Sequence, residues 1–323
     1  MPIPRTPYDP ELVAMEPEQE FPAFTRELLE MMRSRPSGGV AQLGAELART
    51  GVRHEERTIA GPSGAITLSI FTPRAPRTGM PALYSIHGGG MIAGDRFGGL
   101  AEFGFLDWVN EFGMVLISPE YHLAPAVQGT ALVEDCYTGL TWVAGNAGSL
   151  GIDAARIILG GFSGGGGLAA GTALLARDLG GPAVLGQLLI CPQLDDRGRT
   201  VSARQFSKEN GARRGLTTDH IRFAWDMVLG EGHAEGTPSP IAVPARAPDL
   251  SGLPQAYLDA GSAEPFRDET VDYASRIWAG GGQAELHIWA GGWHGFETAA
   301  KATVTAAARA ARESWLRRIL AAG

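Results

Sequence analysis

A serine held between glycines is the first feature of this 323-residue chain that could do chemistry: the stretch GGFSGGGG, residues 160–167, follows an apolar run and precedes a helical pattern. Within it Gly161, Ser163 and Gly165 spell G-x-S-x-G. A serine on a sharp strand-to-helix turn is strained and projects its hydroxyl from the sheet edge, which suits a nucleophile. Glycines on either side let the backbone turn without Cβ clashes. The helix that begins there points its free N–H groups toward the site. The chemistry expected of Ser163 is attack on a carbonyl carbon, with a base to take its proton.

A second glycine run, SIHGGGMIAGD at 85–95, closes an earlier apolar run. Its backbone can present N–H donors to a developing oxyanion, each worth about 3 kcal/mol of barrier where such donors have been removed. Gly88 and Gly89 are the expected donors, joined by the N–H of Gly164 after the serine. His87 is read as a residue that orients the loop through a hydrogen bond. Rival readings of these glycines are weaker. Gly164, Gly166 and Ala169 fit a loose dinucleotide pattern, as do Gly88, Gly90 and Ala93. The strand after the first match carries no acid at its end to hold a ribose, the next being Asp195. A phosphate-binding P-loop is excluded, because no Lys-Ser or Lys-Thr follows the glycines.

These turns need a rigid frame, and the apolar pattern supplies one. Strand-like runs fall at 65–71, 82–86, 114–118, 156–162, 184–190, 255–261 and 284–290, with helical patterns at 130–146, 166–179 and 267–279 between several of them. That alternation predicts an α/β fold with a mostly parallel sheet covered on both faces. A last helix over 298–321 puts Val304, Ala308, Ala311, Trp315 and Ile319 on one face, with the arginines elsewhere. Residues 1–52 read as a helical cap segment, with Phe21, Phe24, Leu28 and Met31 at helical spacing and a second short helix around Leu43 and Leu47 closed by Gly51. Residues 53–194 and 246–323 form the two parts of the core. Between them, 195–245 interrupts the rhythm with charges, Pro and Gly and a helix at 218–229, and is read as an insertion packing with 1–50 over the C-terminal edge of the sheet.

Composition narrows the function classes. Apolar residues make up 44% and charged residues 19%, as in a soluble globular protein. Net charge is −8 and no dense Lys/Arg block occurs, which argues against a nucleic-acid partner. No stretch is long enough to span a bilayer, and prolines near the start stand where a signal peptide needs an apolar run. A cytoplasmic location is the expectation. Cys136 and Cys191 match no metal or redox spacing and are expected to be buried free thiols.

With these motifs in order, the chain resembles the hormone-sensitive-lipase-like (family IV) esterases of the α/β-hydrolase fold over roughly residues 55–320. The marks are HGGG at 87–90, EYHLAP at 120–125, GFSGG at 161–165, AEPFRDE at 263–269 and HGF at 294–296. The family usually carries YRLAPE, so His122 and Ala126 depart from it, as do Phe162 and Gly164 beside the serine. The resemblance implies a carboxylesterase for small to medium acyl esters. It also carries an expectation of a homodimer, and an alternative: a non-catalytic ligand-binding protein on the same fold.

The fold requires the chain order serine, acid, histidine. Only His287 and His294 follow LDAGSAEPFRDE, residues 258–269, which holds Asp259, Glu264, Asp268 and Glu269. His287 falls inside a strand pattern and is expected to have a surface or packing role, whereas His294 lies in a Gly-rich loop from which a base can reach the serine and matches the family's histidine. Asp259 lies within the strand run. Glu264 sits just past it, where the family usually has Asp before Pro, and this chain has Glu264-Pro265. Asp268 and Glu269 open the next helix, where carboxylates favour the positive end of the dipole. Glu264 is the expected acid and Asp268 the reserve. Ser163 would be the nucleophile, His294 the base and Glu264 its orienting partner, chemistry that requires neither a metal nor an organic cofactor.

Overall fold

The computed structural model describes residues 3–16, 22–34, 39–212 and 215–322. Its centre is one eight-stranded sheet: β1 (Arg53–Gly61), β2 (Gly64–Thr72), β3 (Met80–Ile86), β4 (Val115–Glu120), β5 (Ile152–Phe162), β6 (Gly186–Ile190), β7 (Ala256–Gly261) and β8 (Ala284–Trp289). Their spatial order is β1-β2-β4-β3-β5-β6-β7-β8. β1 and β2 form an antiparallel hairpin and β2 runs antiparallel to β4, while β3 to β8 are parallel neighbours. The expected mostly parallel α/β sheet is thus observed.

The period of two along each strand splits the core into two layers. Ala82, Tyr84 and Ile86 of β3 and Ile157 and Leu159 of β5 face one layer. Leu83 and Ile158 face the other, with Phe71, Leu116, Leu188 and Tyr257. The helices follow in chain order: α1 (Pro10–Met15), α2 (Arg26–Ser34), α3 (Gly44–Thr50), α4 (Phe105–Glu111), α5 (Ala131–Gly145), α6 (Ala147–Leu150), α7 (Gly164–Leu179), α8 (Val201–Gln205), α9 (Thr218–Leu229), α10 (Arg267–Ala279) and α11 (Thr303–Ala322). Buried residues of α5, α7 and α10 pack in the first layer, and those of α4 and α11 in the second.

Several details differ from the sequence reading. β1 carries one buried side chain, Ile59, among charged neighbours, because it is an edge strand with a solvated face. Its pattern therefore never read as apolar. Among the described side chains of α2 the buried one is Leu29 and not Met31, which is 53% exposed; Phe21 lies outside the described residues. α3 ends where expected, with Gly51 left-handed at φ 67° and its N–H bonded to Leu47 O at 2.7 Å. On α11 the inward face carries Ala308, Trp315 and Ile319 but also Arg312, which is buried.

The segments before β1 and between β6 and β7 meet directly. The rings of Phe24 and His220 lie 4.8 Å apart, and His220 Nε2–H donates to Pro22 O at 3.0 Å. Asn210 exchanges two hydrogen bonds with the backbone of Ile3.

Trp315 closes the second layer against Tyr257, with ring centroids 5.8 Å apart, and is 3% exposed. Replacing a buried tryptophan with alanine leaves a cavity and costs about 3–5 kcal/mol. Trp315→Ala is expected to lower the free energy of unfolding by about that amount, read from the denaturant midpoint at unchanged slope.

Candidate active site

Five loops leave the C-terminal ends of the adjacent parallel strands β3, β5, β6, β7 and β8, and all five reach one place, as expected for an open α/β sheet. β5 runs straight into α7 through Ser163, whose backbone sits at φ 55° and ψ −127°. A Cβ on Gly161 would come within 2.3 Å of Gly165 O, and one on Gly165 within 2.1 Å of Ile86 O, so both positions require glycine. Ser163 N–H donates to Ile190 O at 2.9 Å, which ties the turn to the neighbouring strand. Met91, Ser163 and Cys191 are the three non-glycine residues with positive φ among those described, and all belong to these loops. Backbone strain of this kind concentrates where the surrounding structure holds a functional geometry.

The loops after β7 and β8 bring Glu264 and His294 to the serine. Ser163 Oγ lies 2.9 Å from His294 Nε2, and His294 Nδ1–H donates to Glu264 Oε2 at 2.6 Å. The other carboxylate oxygen of Glu264, which is buried, accepts from Gly261 N–H at 2.6 Å. Gly261 is itself confined, since a Cβ there would meet Gly292 O at 2.0 Å. The imidazole therefore spans serine and carboxylate with one nitrogen directed at each.

The other acids of the same stretch are engaged elsewhere. Asp259 is buried and accepts from Arg312, Trp289 and Tyr257. Asp268 Oδ2 accepts from Ser202 N–H at 2.7 Å and its Oδ1 from Arg267 Nε at 2.7 Å. Burial opposes its charge, but Arg267 and the Ser202 amide outweigh that and lower its pKa. Glu269 does more than face a helix dipole: it accepts from the amides of Leu194 and Asp195, and full burial raises its pKa well above the ordinary value. His287 stacks between Tyr257 and Trp289.

The loop after β3 is braced from below. His87 Nδ1–H donates to Gly88 O at 2.9 Å, its ring stacks on Tyr121 at 4.3 Å, and Tyr121 OH donates to His87 O at 3.0 Å. His122, the departure from the family's arginine, donates from Nδ1 to buried Asp135 at 2.6 Å. Gly89 and Gly90 wall the pocket with Ser163 and His294, whereas Gly88 does not, and a Cβ on Gly88 would strike the Phe162 ring at 2.5 Å. A Cβ on Gly164 would lie 3.0 Å from Gly90 N, so those two residues face each other across the turn.

Among the described residues, Cys191, Glu264 and His294 form the one group of metal-ligand types whose donor atoms gather within 4.8 Å. Two of the three are already bonded to each other, and burial, then Glu264, push the Cys191 thiol up. The donor set suits a proton relay better than a cation.

Residues 83–298 match the family described as the alpha/beta hydrolase fold. The carboxylesterase NlhH of Mycobacterium tuberculosis is 34% identical over 241 residues, covering 73% of this chain and 72% of that one. The esterase LipI of the same organism is 32% identical over an equal span, again 73% of this chain and 72% of that one. A bacterial heroin esterase of known structure superposes with a TM-score of 0.84 at 34% identity, covering 97% of this chain and 98% of that one. An esterase from Pyrobaculum calidifontis does so with a TM-score of 0.83 at 30% identity, covering 97% and 99%. The chain belongs to the hormone-sensitive-lipase-like carboxylic ester hydrolases of the α/β-hydrolase fold. These relatives lend no support to the non-catalytic alternative. None of the helices of the described residues is long and apolar enough to cross a membrane.

The pocket of this esterase has a volume of about 810 Å³ and opens directly above Ser163. Phe103, Phe162 and Trp293 wall it from the core, while Phe24, Leu29 and Ile221 come from the segments before β1 and between β6 and β7. None of those three was singled out as a pocket residue by the sequence, because an apolar residue that lines a pocket reads like one that fills a core.

His220 joins the two outer walls, and its surroundings favour the neutral ring. Thr217 N–H donates to its Nδ1 at 3.0 Å and its Nε2–H donates to Pro22, so a second proton on Nδ1 would face a donor. Desolvation lowers its pKa. The unfolded chain therefore takes up the proton first as pH falls. The stability this residue contributes is complete above the unfolded value of about 6.5 and is lost as pH drops through the depressed folded value. Between about pH 7 and pH 5 the thermal midpoint of His220→Gln should vary less with pH than that of the parent; parallel curves would contradict this.

Proposed function

We propose that this chain is a serine carboxylesterase that hydrolyses small to medium acyl esters in two steps through an acyl-enzyme on Ser163. The observation that carries the reading is the unbroken relay from Ser163 Oγ through His294 to buried Glu264, at 2.9 and 2.6 Å. In the first step Ser163 Oγ attacks the ester carbonyl while His294 Nε2 takes its proton, and the imidazolium returns that proton to the departing alkoxide. In the second, His294 activates a water, which attacks the acyl carbon and restores the serine. Glu264 fixes the tautomer and stabilises the charged ring.

The oxyanion donors in this reading are the N–H groups of Gly89, Gly90 and Gly164. Gly90 is preferred here to Gly88 of the sequence expectation, because Gly89 and Gly90 border the pocket with Ser163 and the Gly90 backbone lies close to Gly164. Gly164 begins α7, so its N–H also benefits from the positive end of a sixteen-residue helix. Residues 1–52 and 195–245 act as the cap, with the core divided into 53–194 and 246–323. The apolar pocket walls favour acyl groups that can leave water. A cytoplasmic setting agrees with the two buried unpaired thiols, Cys136 and Cys191.

The decisive test is turnover of p-nitrophenyl acetate, butyrate and octanoate by the parent, Ser163→Ala and Glu264→Gln. Ser163→Ala should lose kcat by at least about 10³-fold, and Glu264→Gln by roughly 10³–10⁴-fold with KM little changed. Full activity in Glu264→Gln would remove the acid role from Glu264. A parent protein inert toward all three esters would overturn the catalytic reading.

A further inference from the structure

Arg312 lies on the inward face of α11, and its side chain is 2% exposed. Its Nε donates to Asp259 Oδ2 at 2.8 Å and its Nη2 to Glu297 Oε1 at 2.5 Å. Both acids are buried, and among the described residues no other lysine or arginine pairs with either. An ion group of this kind is costly to bury and is often matched in stability by apolar residues of similar size, so its presence calls for a reason other than stability.

Chain position supplies one. Asp259 stands two residues before Gly261, whose N–H holds Glu264, and Glu297 stands three residues after His294. Before the histidine, the loop is tied to the end of β7 by Ala263 N–H to Gly292 O at 2.9 Å and Ser262 N–H to Trp289 O at 2.8 Å. After the histidine, Phe296 N–H donates to Trp293 O at 3.1 Å and Phe296 O accepts from Thr305 Oγ1 of α11 at 3.2 Å, and neither bond reaches β7. The tie from that side back to β7 runs through Glu297, Arg312 and Asp259. The loop is thereby held on both sides of His294.

We propose that Arg312 is a positioning residue for the reaction. By bridging the strand that carries Glu264 to the turn that carries His294, it sets the approach of the imidazole to both the carboxylate and Ser163. The inference rests on the roles proposed above for Glu264 and His294. Misplacement of a catalytic group by about 1 Å can cost on the order of 10²-fold in rate.

Two variants test it. Glu297→Gln keeps the shape of the side chain but removes its negative charge, which weakens the bond to Arg312 on the histidine side. The combined Asp259→Leu, Arg312→Met, Glu297→Leu variant replaces the whole ion group with apolar residues and leaves no buried charge unpaired. Each is examined by thermal unfolding, by kcat and KM on p-nitrophenyl butyrate, and by the low-field proton resonance of His294 Nδ1–H. Folded variants with kcat lowered by about tenfold to 10²-fold, parental KM and a displaced or broadened resonance are expected. A folded variant with parental kcat and an unmoved resonance overturns the proposal, whichever of the two it is. A parent that turns over no ester would instead sink the roles of Ser163 and His294, and the resonance alone would then decide whether the bridge holds the ring.

Discussion

Ser163 occupies a backbone conformation that side-chain-bearing residues rarely adopt, and the sheet around it is what keeps it there. Strain of this type costs on the order of 1–3 kcal/mol and persists only where packing over-determines the turn. Here β5 is paired on both sides, to β3 and β6, and α7 packs back onto the same strands. Ser163 O accepts from Gly167 N–H at 3.2 Å and Gln193 N–H at 3.0 Å, so the strained residue is held by its own helix and by the loop of the next strand. The glycines at 161 and 165 let strand and helix close to the distance this turn demands.

The acids of residues 258–269 show how environment separates chemically similar groups. Asp259 is an ionic anchor inside the core, Glu264 faces the histidine, Asp268 caps α8 through Ser202, and Glu269 holds the amides that lead out of β6. Four carboxyl groups within twelve residues thus answer to four sets of donors. Burial is common to most of them, and the partner, more than the burial, distinguishes what each can do.

Much of this was legible in the sequence. The inner parallel strands β3, β4, β6 and β7 are buried almost throughout and read as apolar runs, and α9 and α10 begin and end at the residues their periodicity marked. Ser163, Glu264 and His294, singled out by type and chain order, meet in space. The misses share a cause. β1 is an edge strand whose exposed face carries charges, α1 and α4 are too short to show a period, and Arg312 is a charge at a position the pattern gives to apolar residues. Each of these is decided by a neighbour distant in the chain, which no local pattern records.

The pocket walls have an origin that bears on how such a protein changes over generations. Phe24, Leu29 and Ile221 belong to segments outside the sheet, while the serine, the carboxylate and the imidazole are rooted in strand ends that cannot shift without disturbing the whole frame. Substitutions in the outer walls alter what fits above Ser163 and leave the strained turn untouched. Selection can therefore explore new molecules with one part of the chain while another part conserves the reaction. The division of labour makes substrate range evolvable and the chemistry heritable within one fold.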